Sequence, residues 1–192
     1  IPHTQAVVSW AFRLATDYNR RVAEGAIENG VPVDVNVLVT AALFHDIGYY
    51  GKFDKDPGLA EISNRKAEHM VVGARMAKKF FETLPVLFLD EEQINQICHL
   101  VSVHDNLNEI HSIEETILLE ADTLGAIDIN WVEPTYQGEQ ALGGYLERDR
   151  TRKRHELFQT PLARESLFEK LKTYRQFVID RDFNGVDPTL KP

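Results

Sequence analysis

Apolar residues recur every three to four positions over most of this chain, and this spacing constrains its fold more than any other feature of the sequence. Such a period places apolar side chains on one face of an α-helix. Strand signals are weak, because even the β-branched stretch 31–39 leads into a pattern of helical length. We therefore predict an all-α, single-domain helical bundle, for which 192 residues provide a sizeable core. In the first helix, over residues 4–24, the predicted stripe is Val7, Trp10, Ala11, Leu14, Ala15 and Tyr18.

Turn residues set the expected limits of the second helix. Pro32 and Asp34 open it, and we expect it to reach Gly48, which would act as its stop. Residues 49–63 contain glycine and proline and are predicted to form a long loop. A third helix is predicted over about 64–82, with inward side chains at Met70, Val71, Ala74, Ala77 and Phe81.

Two capping boxes predict where the next helices begin. In each, a short polar residue is followed three positions later by Glu or Gln, which lets the two residues satisfy each other's backbone groups. A last helix is expected over 160–180, while 126–145 is rich in glycine, proline and aromatic residues and should be irregular. The two boxes are Asp90 with Gln93 and Ser112 with Glu115.

Composition excludes several classes of function. The net charge of −9 argues against binding to a nucleic acid polymer, and no apolar run approaches the roughly 20 residues of a membrane span. The single cysteine, Cys98, excludes an intrachain disulfide and favours a reducing compartment, so we expect a cytoplasmic protein. The chain starts two residues before His3, which leaves room for a natural N-terminus that precedes Ile1. A homodimer is left open.

Several polar side chains are predicted to point into the core. His104 follows Val101 by three positions and shares its inward face, and Asp122 borders the apolar stripe of its own helix. His3 and His69 occupy comparable positions in the first and third helices. Buried imidazoles and carboxylates are costly unless they are paired or bound to metal. A shared metal is the simplest explanation, and the alternative for each histidine is a core imidazole bonded to a backbone carbonyl.

Residues 41–48, with the sequence AALFHDIG, resemble the signature of the HD superfamily of metal-dependent phosphohydrolases. In that signature a His-Asp doublet is flanked by an apolar helix and a glycine. The resemblance carries motifs over roughly 1–128 and continues more loosely through 160–183. It implies one HD-type domain over 1–192, with a metal-binding core at about 1–128 and an irregular segment and C-terminal helices at 129–192. The residues in family order are His3, His45 with Asp46, His69, His104 and Asp122.

The resemblance also implies roles for these residues. The primary metal site would be formed by His3, His45, Asp46 and Asp122. The doublet's carboxylate, Asp46, would be the central catalytic group. One or two divalent metals would bind, and with two of them Asp46 would bridge the pair and His69 and His104 would complete the second site. Such a set suits Mn, Fe, Ni, Co or Zn better than Ca.

The function implied by the resemblance is hydrolysis of a phosphate ester by a metal-activated water. The substrate would be a small phosphorylated metabolite, with a nucleotide as first candidate, and cleavage of a monoester or a diester is left open. Two alternatives remain at this stage. Some HD-fold proteins with a similar ligand set use two irons to activate oxygen, and a degenerate HD domain would bind a ligand without turnover.

Two cations are candidates for holding the phosphate. Lys52 closely follows the doublet, and Arg65 stands one helical turn before His69. The family often has Lys at the position of Tyr49 and Arg at that of Thr123, and these departures bear on the substrate rather than on the metal site. We interpret the basic stretch 148–154 as a solvated helix face, with a phosphate clamp as the lesser alternative.

Overall fold

A computed structural model describes residues 2–50, 65–84, 89–143 and 151–185 of the protein. These residues form helices and contain no strand, which confirms the all-α prediction. None of the described helices is long and apolar enough to span a bilayer. The α-helices are α1 (Pro2–Ala23), α2 (Val35–Phe44), α3 (Lys66–Thr83), α4 (Glu91–Val103), α5 (Ile113–Ile127), α6 (Thr151–His155) and α7 (Pro161–Asp182), with short 3₁₀ turns at Ile47–Tyr49 and Leu107–Glu109.

Helix α5 is the centre of the bundle. It packs against α1, α2, α4, α6 and α7, and nearly all of its side chains are buried. The contact with α1 is close, since a Cβ atom on Gly125 would lie 2.8 Å from Cγ2 and 3.0 Å from the backbone N of Val7. The predicted stripe of α1 is confirmed, because all six of its residues are buried. From α5, the core receives Ile117, Leu118, Ala121, Leu124 and Ile127.

The second and third helices differ from their predicted forms. Helix α2 begins as expected, because the Asp34 carboxylate accepts hydrogen bonds from two backbone N–H groups of the first turn. It ends at Phe44 rather than Gly48, and the chain continues into the 3₁₀ turn. In α3, Met70 is buried but Val71 is 56% exposed, so its prediction as an inward residue was wrong. The next position along a helix is rotated by about 100°, which turns Val71 away from the core.

Both predicted capping boxes are present. Asp90 and Gln93 cap α4 reciprocally, and the Gln93 amide also donates to Asp34 at 2.7 Å, which ties the start of α4 to that of α2. Ser112 and Glu115 do the same at α5. These caps fix where α4 and α5 begin.

A buried carboxylate joins α5 to α7. Oε1 of Glu120 accepts the backbone N–H groups of Gln159 (2.6 Å) and Thr160 (2.9 Å), and Oε2 accepts the Thr160 hydroxyl at 2.5 Å. Burial raises the pKa of Glu120 to about 7, although these hydrogen bonds and the charge of Arg164 act in the opposite direction. Glu120 thereby holds the entry to α7 against the middle of α5.

Glu115 extends the cap of α5 into a small hydrogen-bond network. Its Oε2 accepts the backbone N–H groups of His111 (2.7 Å) and Ser112 (2.8 Å), and its Oε1 accepts from Nε2 of His99 at 2.7 Å. Burial by itself would raise the pKa of Glu115, but the three hydrogen bonds outweigh it and the pKa is lowered. The ionised carboxylate therefore stabilises the fold.

We predict that Glu115→Gln lowers the free energy of unfolding by about 1–2 kcal/mol at pH 7. Because the folded-state pKa lies below the ordinary value of 4.5, this contribution is fully present above that pH and is lost as the pH falls through the folded-state pKa. Urea unfolding at several pH values should show the difference from wild type shrinking in acid. Glu114→Gln, in the same helical turn, is the matched control, and equal effects of the two substitutions would contradict the prediction.

Candidate metal centre

The structure brings the six residues of the predicted ligand set together from five helices. His3 lies in the first turn of α1, and the doublet lies in the turn that follows α2. His69 lies in α3, His104 is the C-cap of α4, and Asp122 lies in the middle of α5. The six side chains form two groups of three, each able to hold a metal ion: His3, His45 and Asp122, and then Asp46, His69 and His104.

The first group is compact. Nε2 of His3 lies 3.3 Å from Nε2 of His45 and 3.1 Å from Oδ1 of Asp122. The remaining distance, from His45 Nε2 to Asp122 Oδ1, is 3.8 Å. Three potential ligand atoms therefore surround one point, at spacings suited to a single cation.

The second group is equally compact, and its carboxylate also lies close to the first group. Nε2 of His69 lies 3.2 Å from Nε2 of His104, and Asp46 Oδ1 lies 3.5 and 3.8 Å from these two atoms. The other oxygen of Asp46, Oδ2, lies 3.2 Å from His45 Nε2 and 3.6 Å from His3 Nε2. Asp46 thus presents one oxygen to each group.

The imidazole tautomers fit a metal. Nδ1–H of His45 donates to the Ala42 carbonyl at 2.7 Å, and Nδ1–H of His104 donates to the Val101 carbonyl at 2.8 Å. A carbonyl can only accept, so each neutral ring has its lone pair on Nε2, which faces another histidine. In the metal-free protein, Nε2–H of the facing ring, His3 or His69, can donate to this lone pair, and a bound cation would replace that proton. The carbonyl bonds proposed as the alternative to metal binding are thus present, but on the ring nitrogens that face away from the centre.

The pKa values of the histidines shift in opposite directions in the two groups. Burial would lower the pKa of His45, but Asp46 and Asp122 outweigh it and raise this pKa to about 9. The pKa of Asp46 is held well below its usual value, since His45, His104 and His3 overcome the effect of burial. Burial and the neighbouring His104 lower the pKa of His69 to about 4. In the metal-free protein, positive charge is favoured on His45 and disfavoured on His69.

A close backbone contact places the doublet beside α3. A Cβ atom on Gly48 would lie 1.9 Å from the carbonyl oxygen of His69, and one on Gly73 would lie 3.3 Å from the backbone N of Gly48. Tyr49 stacks on the His69 ring, with centroids 4.0 Å apart and planes 11° from parallel. Gly48 therefore permits the 3₁₀ turn to touch α3, which is a different role from the predicted helix stop.

A buried arginine adjoins the centre, and sequence reasoning missed it. The side chain of Arg154 is 1% exposed, so the prediction of a solvated face is wrong for this residue. Its Nη2 donates to Asp122 Oδ2 at 2.7 Å, and its Nη1 donates to Asp105 Oδ1 at 2.5 Å. Its Nε donates to Thr123 Oγ1 at 2.8 Å. Lys153 and His155, its neighbours, are exposed, and the sequence carries no signal that separates Arg154 from the other basic residues of the stretch.

Of the two predicted phosphate-binding residues, Arg65 lies among the described residues and Lys52 does not. Arg65 is the N-cap residue of α3, and its carbonyl accepts the backbone N–H of His69 at 2.9 Å. Its side chain is 37% exposed, with Nη1 3.9 Å from Glu68 Oε2. Lys52 lies outside the described residues. The three remaining histidines, His99, His111 and His155, are exposed and belong to neither group.

The helices and the two His/Asp groups define an all-α protein with a candidate two-metal centre. A family model described as HD domain matches residues 1–127, and since this is well over half of the chain, the protein belongs to the HD-domain family. HD domains bind divalent metals and are mostly metal-dependent hydrolases. Searches among curated proteins and solved structures gave no match.

We predict that Gly48→Ala lowers the free energy of unfolding by at least about 3 kcal/mol, because its methyl group overlaps a backbone carbonyl that cannot move independently of α3. Gly73→Ala is the matched comparison, since its Cβ makes contacts no shorter than 3.3 Å and should cost clearly less. Chemical unfolding of both variants measures the difference. A Gly48→Ala protein as stable as wild type would show that the turn and α3 do not touch in this way.

Proposed function

We propose that this protein is a metal-dependent phosphohydrolase that cleaves a phosphate ester of a small metabolite, with a nucleotide as first candidate. The observation that carries the proposal is the position of Asp46, whose two oxygens face two separate histidine groups. A carboxylate so placed is suited to bridging two metal ions. The family assignment supports hydrolysis as the type of reaction.

In this proposal His3, His45 and Asp122 would hold the first ion together with Asp46. His69 and His104 would hold the second ion, also together with Asp46. When bound, the metals would supply a nucleophilic water near neutral pH and neutralise charge on the phosphoryl oxygens. The ligand set of four imidazoles and two carboxylates favours Mn, Fe, Ni, Co or Zn over Ca.

The chain's own residues orient the centre and restrict access to it. His45, His69, His104 and Asp122 are at most 2% exposed, whereas the side chains of His3 and Asp46 are 26% and 33% exposed. We infer that substrate approaches on the side of His3 and Asp46, while the packed helices exclude water from the other sides. Arg65 and Lys52 are proposed to hold the phosphate there.

Charge supports an anionic substrate in spite of the acidic chain. Two divalent ions would bring four positive charges to a centre with two carboxylate ligands, so the loaded site would carry an excess of positive charge. The ions would then dominate the local field, whatever the net charge of the protein. A phosphate ester suits such a site, and we propose no polymer or membrane partner.

The first test is metal content. We expect about two equivalents of transition metal in protein purified without added metal, and hydrolysis of p-nitrophenyl phosphate by that protein. Asp46→Ala should abolish both properties because it removes the shared ligand, and His45→Ala should abolish hydrolysis and lose the metal of the first site. His69→Ala should retain about one equivalent. His111→Ala, which changes an exposed histidine, is the matched control and should behave as wild type.

The same proteins separate the proposal from its alternatives. Hydrolysis that survives both His45→Ala and Asp46→Ala would refute the site. Oxygen consumption after anaerobic loading with Fe(II), without hydrolysis of any ester in a panel of nucleotides and sugar phosphates, would favour a di-iron oxygenase. Metal binding with neither activity would indicate a ligand-binding domain. Within the panel, Arg65→Met should raise KM about tenfold if Arg65 holds the phosphate.

A further inference from the structure

Arg154 is the largest fully buried side chain among the described residues, although it carries a full positive charge. A buried guanidinium is tolerated only when carboxylates and other acceptors surround it. Two carboxylates do so here: the side chains of Asp105 and Asp122 are 8% and 2% exposed. The Thr123 hydroxyl and the Leu119 carbonyl, the latter 3.4 Å from Nη2, complete the set.

The two oxygens of the Asp122 carboxylate have different partners. Oδ2 accepts from Arg154 at 2.7 Å, and Oδ1 lies 3.1 Å from Nε2 of His3 in the first group. With Oδ2 occupied, Asp122 offers one oxygen to the first group and cannot turn freely. Arg154 also bonds to Asp105, the residue that directly follows His104 of the second group.

We propose that Arg154 is a positioning residue for the metal centre: it orients Asp122 and holds the end of α4 at a fixed distance from α5. This inference rests on the proposed function, since it assumes that Asp122 and His104 bind metal. Arg154 is not proposed as a phosphate ligand, because Nε, Nη1 and Nη2 each already donate to a protein acceptor. The role depends on the fork of the guanidinium as well as on its charge.

The proposal and a purely electrostatic effect predict opposite changes in metal affinity when Arg154 is removed, so an experiment can separate them. A cation beside Asp122 repels a metal ion, so if charge alone mattered, removing it would tighten metal binding. If Arg154 positions Asp122, removing it weakens binding. Loss of a residue that orients a metal ligand typically weakens binding by about 10- to 100-fold.

The experiment compares wild type with Arg154→Met and Arg154→Lys by titrating Mn²⁺ into metal-free protein in a calorimeter. We expect both variants to bind the ion about 10- to 100-fold more weakly, with Lys failing to restore affinity because it lacks the fork. For hydrolysis, kcat should fall while KM changes less than about threefold, since Arg154 does not contact substrate. Arg20→Met is the matched control, because Arg20 bridges Asp17 and Glu24 on the surface, and it should bind Mn²⁺ as wild type does.

The outcomes are distinct. Binding by Arg154→Met that equals or exceeds that of wild type would overturn the positioning role while leaving the metal centre intact. Failure of wild type to bind Mn²⁺ would instead overturn the proposed function and this inference with it. If neither Arg154 variant folds, Thr123→Val decides the question: it removes only one acceptor, and it should weaken Mn²⁺ binding about two- to fivefold. Unchanged binding in Thr123→Val would then refute the proposal.

Discussion

The interior of this bundle contains imidazole nitrogens that face each other at 3.2 and 3.3 Å, with carboxylate oxygens beside them, and the structure is organised around this constraint. Only one ring of each pair, His45 or His104, has its Nδ1–H committed to a carbonyl, so in the metal-free protein a proton on Nε2 of the facing ring, His3 or His69, can join the two nitrogens. A metal ion between the rings would replace that proton and use the lone pairs of both nitrogens. The carboxylates of Asp46 and Asp122 raise the pKa of His45, so the centre favours a positive charge, and a proton is one such charge and a metal ion is another.

The helices form this cluster of imidazoles and carboxylates because each brings a different part of its length to the same point. Three ligand-bearing segments lie where a helix begins or ends, and at the ends of α2 and α4 the imidazoles of His45 and His104 are themselves oriented by carbonyls of the last helical turn. Asp122 is different, because it lies inside α5, the most buried helix of the described bundle. Its position depends on the packing of α1 and on the bonds that Glu120 makes two residues earlier.

Helical periodicity and capping patterns predicted most of the described helices, because both depend on residues close together in sequence. The candidate ligands were predicted from an order of histidines and aspartates that resembles the HD superfamily, and local apolar stripes supported only some of them, such as His104 and Asp122. Two of the failures depend on distant contacts. Gly48 looked like a helix stop, but its lack of a side chain is required by the carbonyl of His69 in another helix. Arg154 looked like one of several exposed basic residues, and only the fold brings it to Asp122 and Thr123.

Asp46 has one further consequence, for how such a centre can change in evolution. Since both proposed sites use its carboxylate, no substitution at this position can leave one site complete and the other lost. The histidines are not shared in this way. A lineage that reduced the centre to a single metal could therefore do so through His69 or His104, whereas a change at Asp46 would remove both sites in one step.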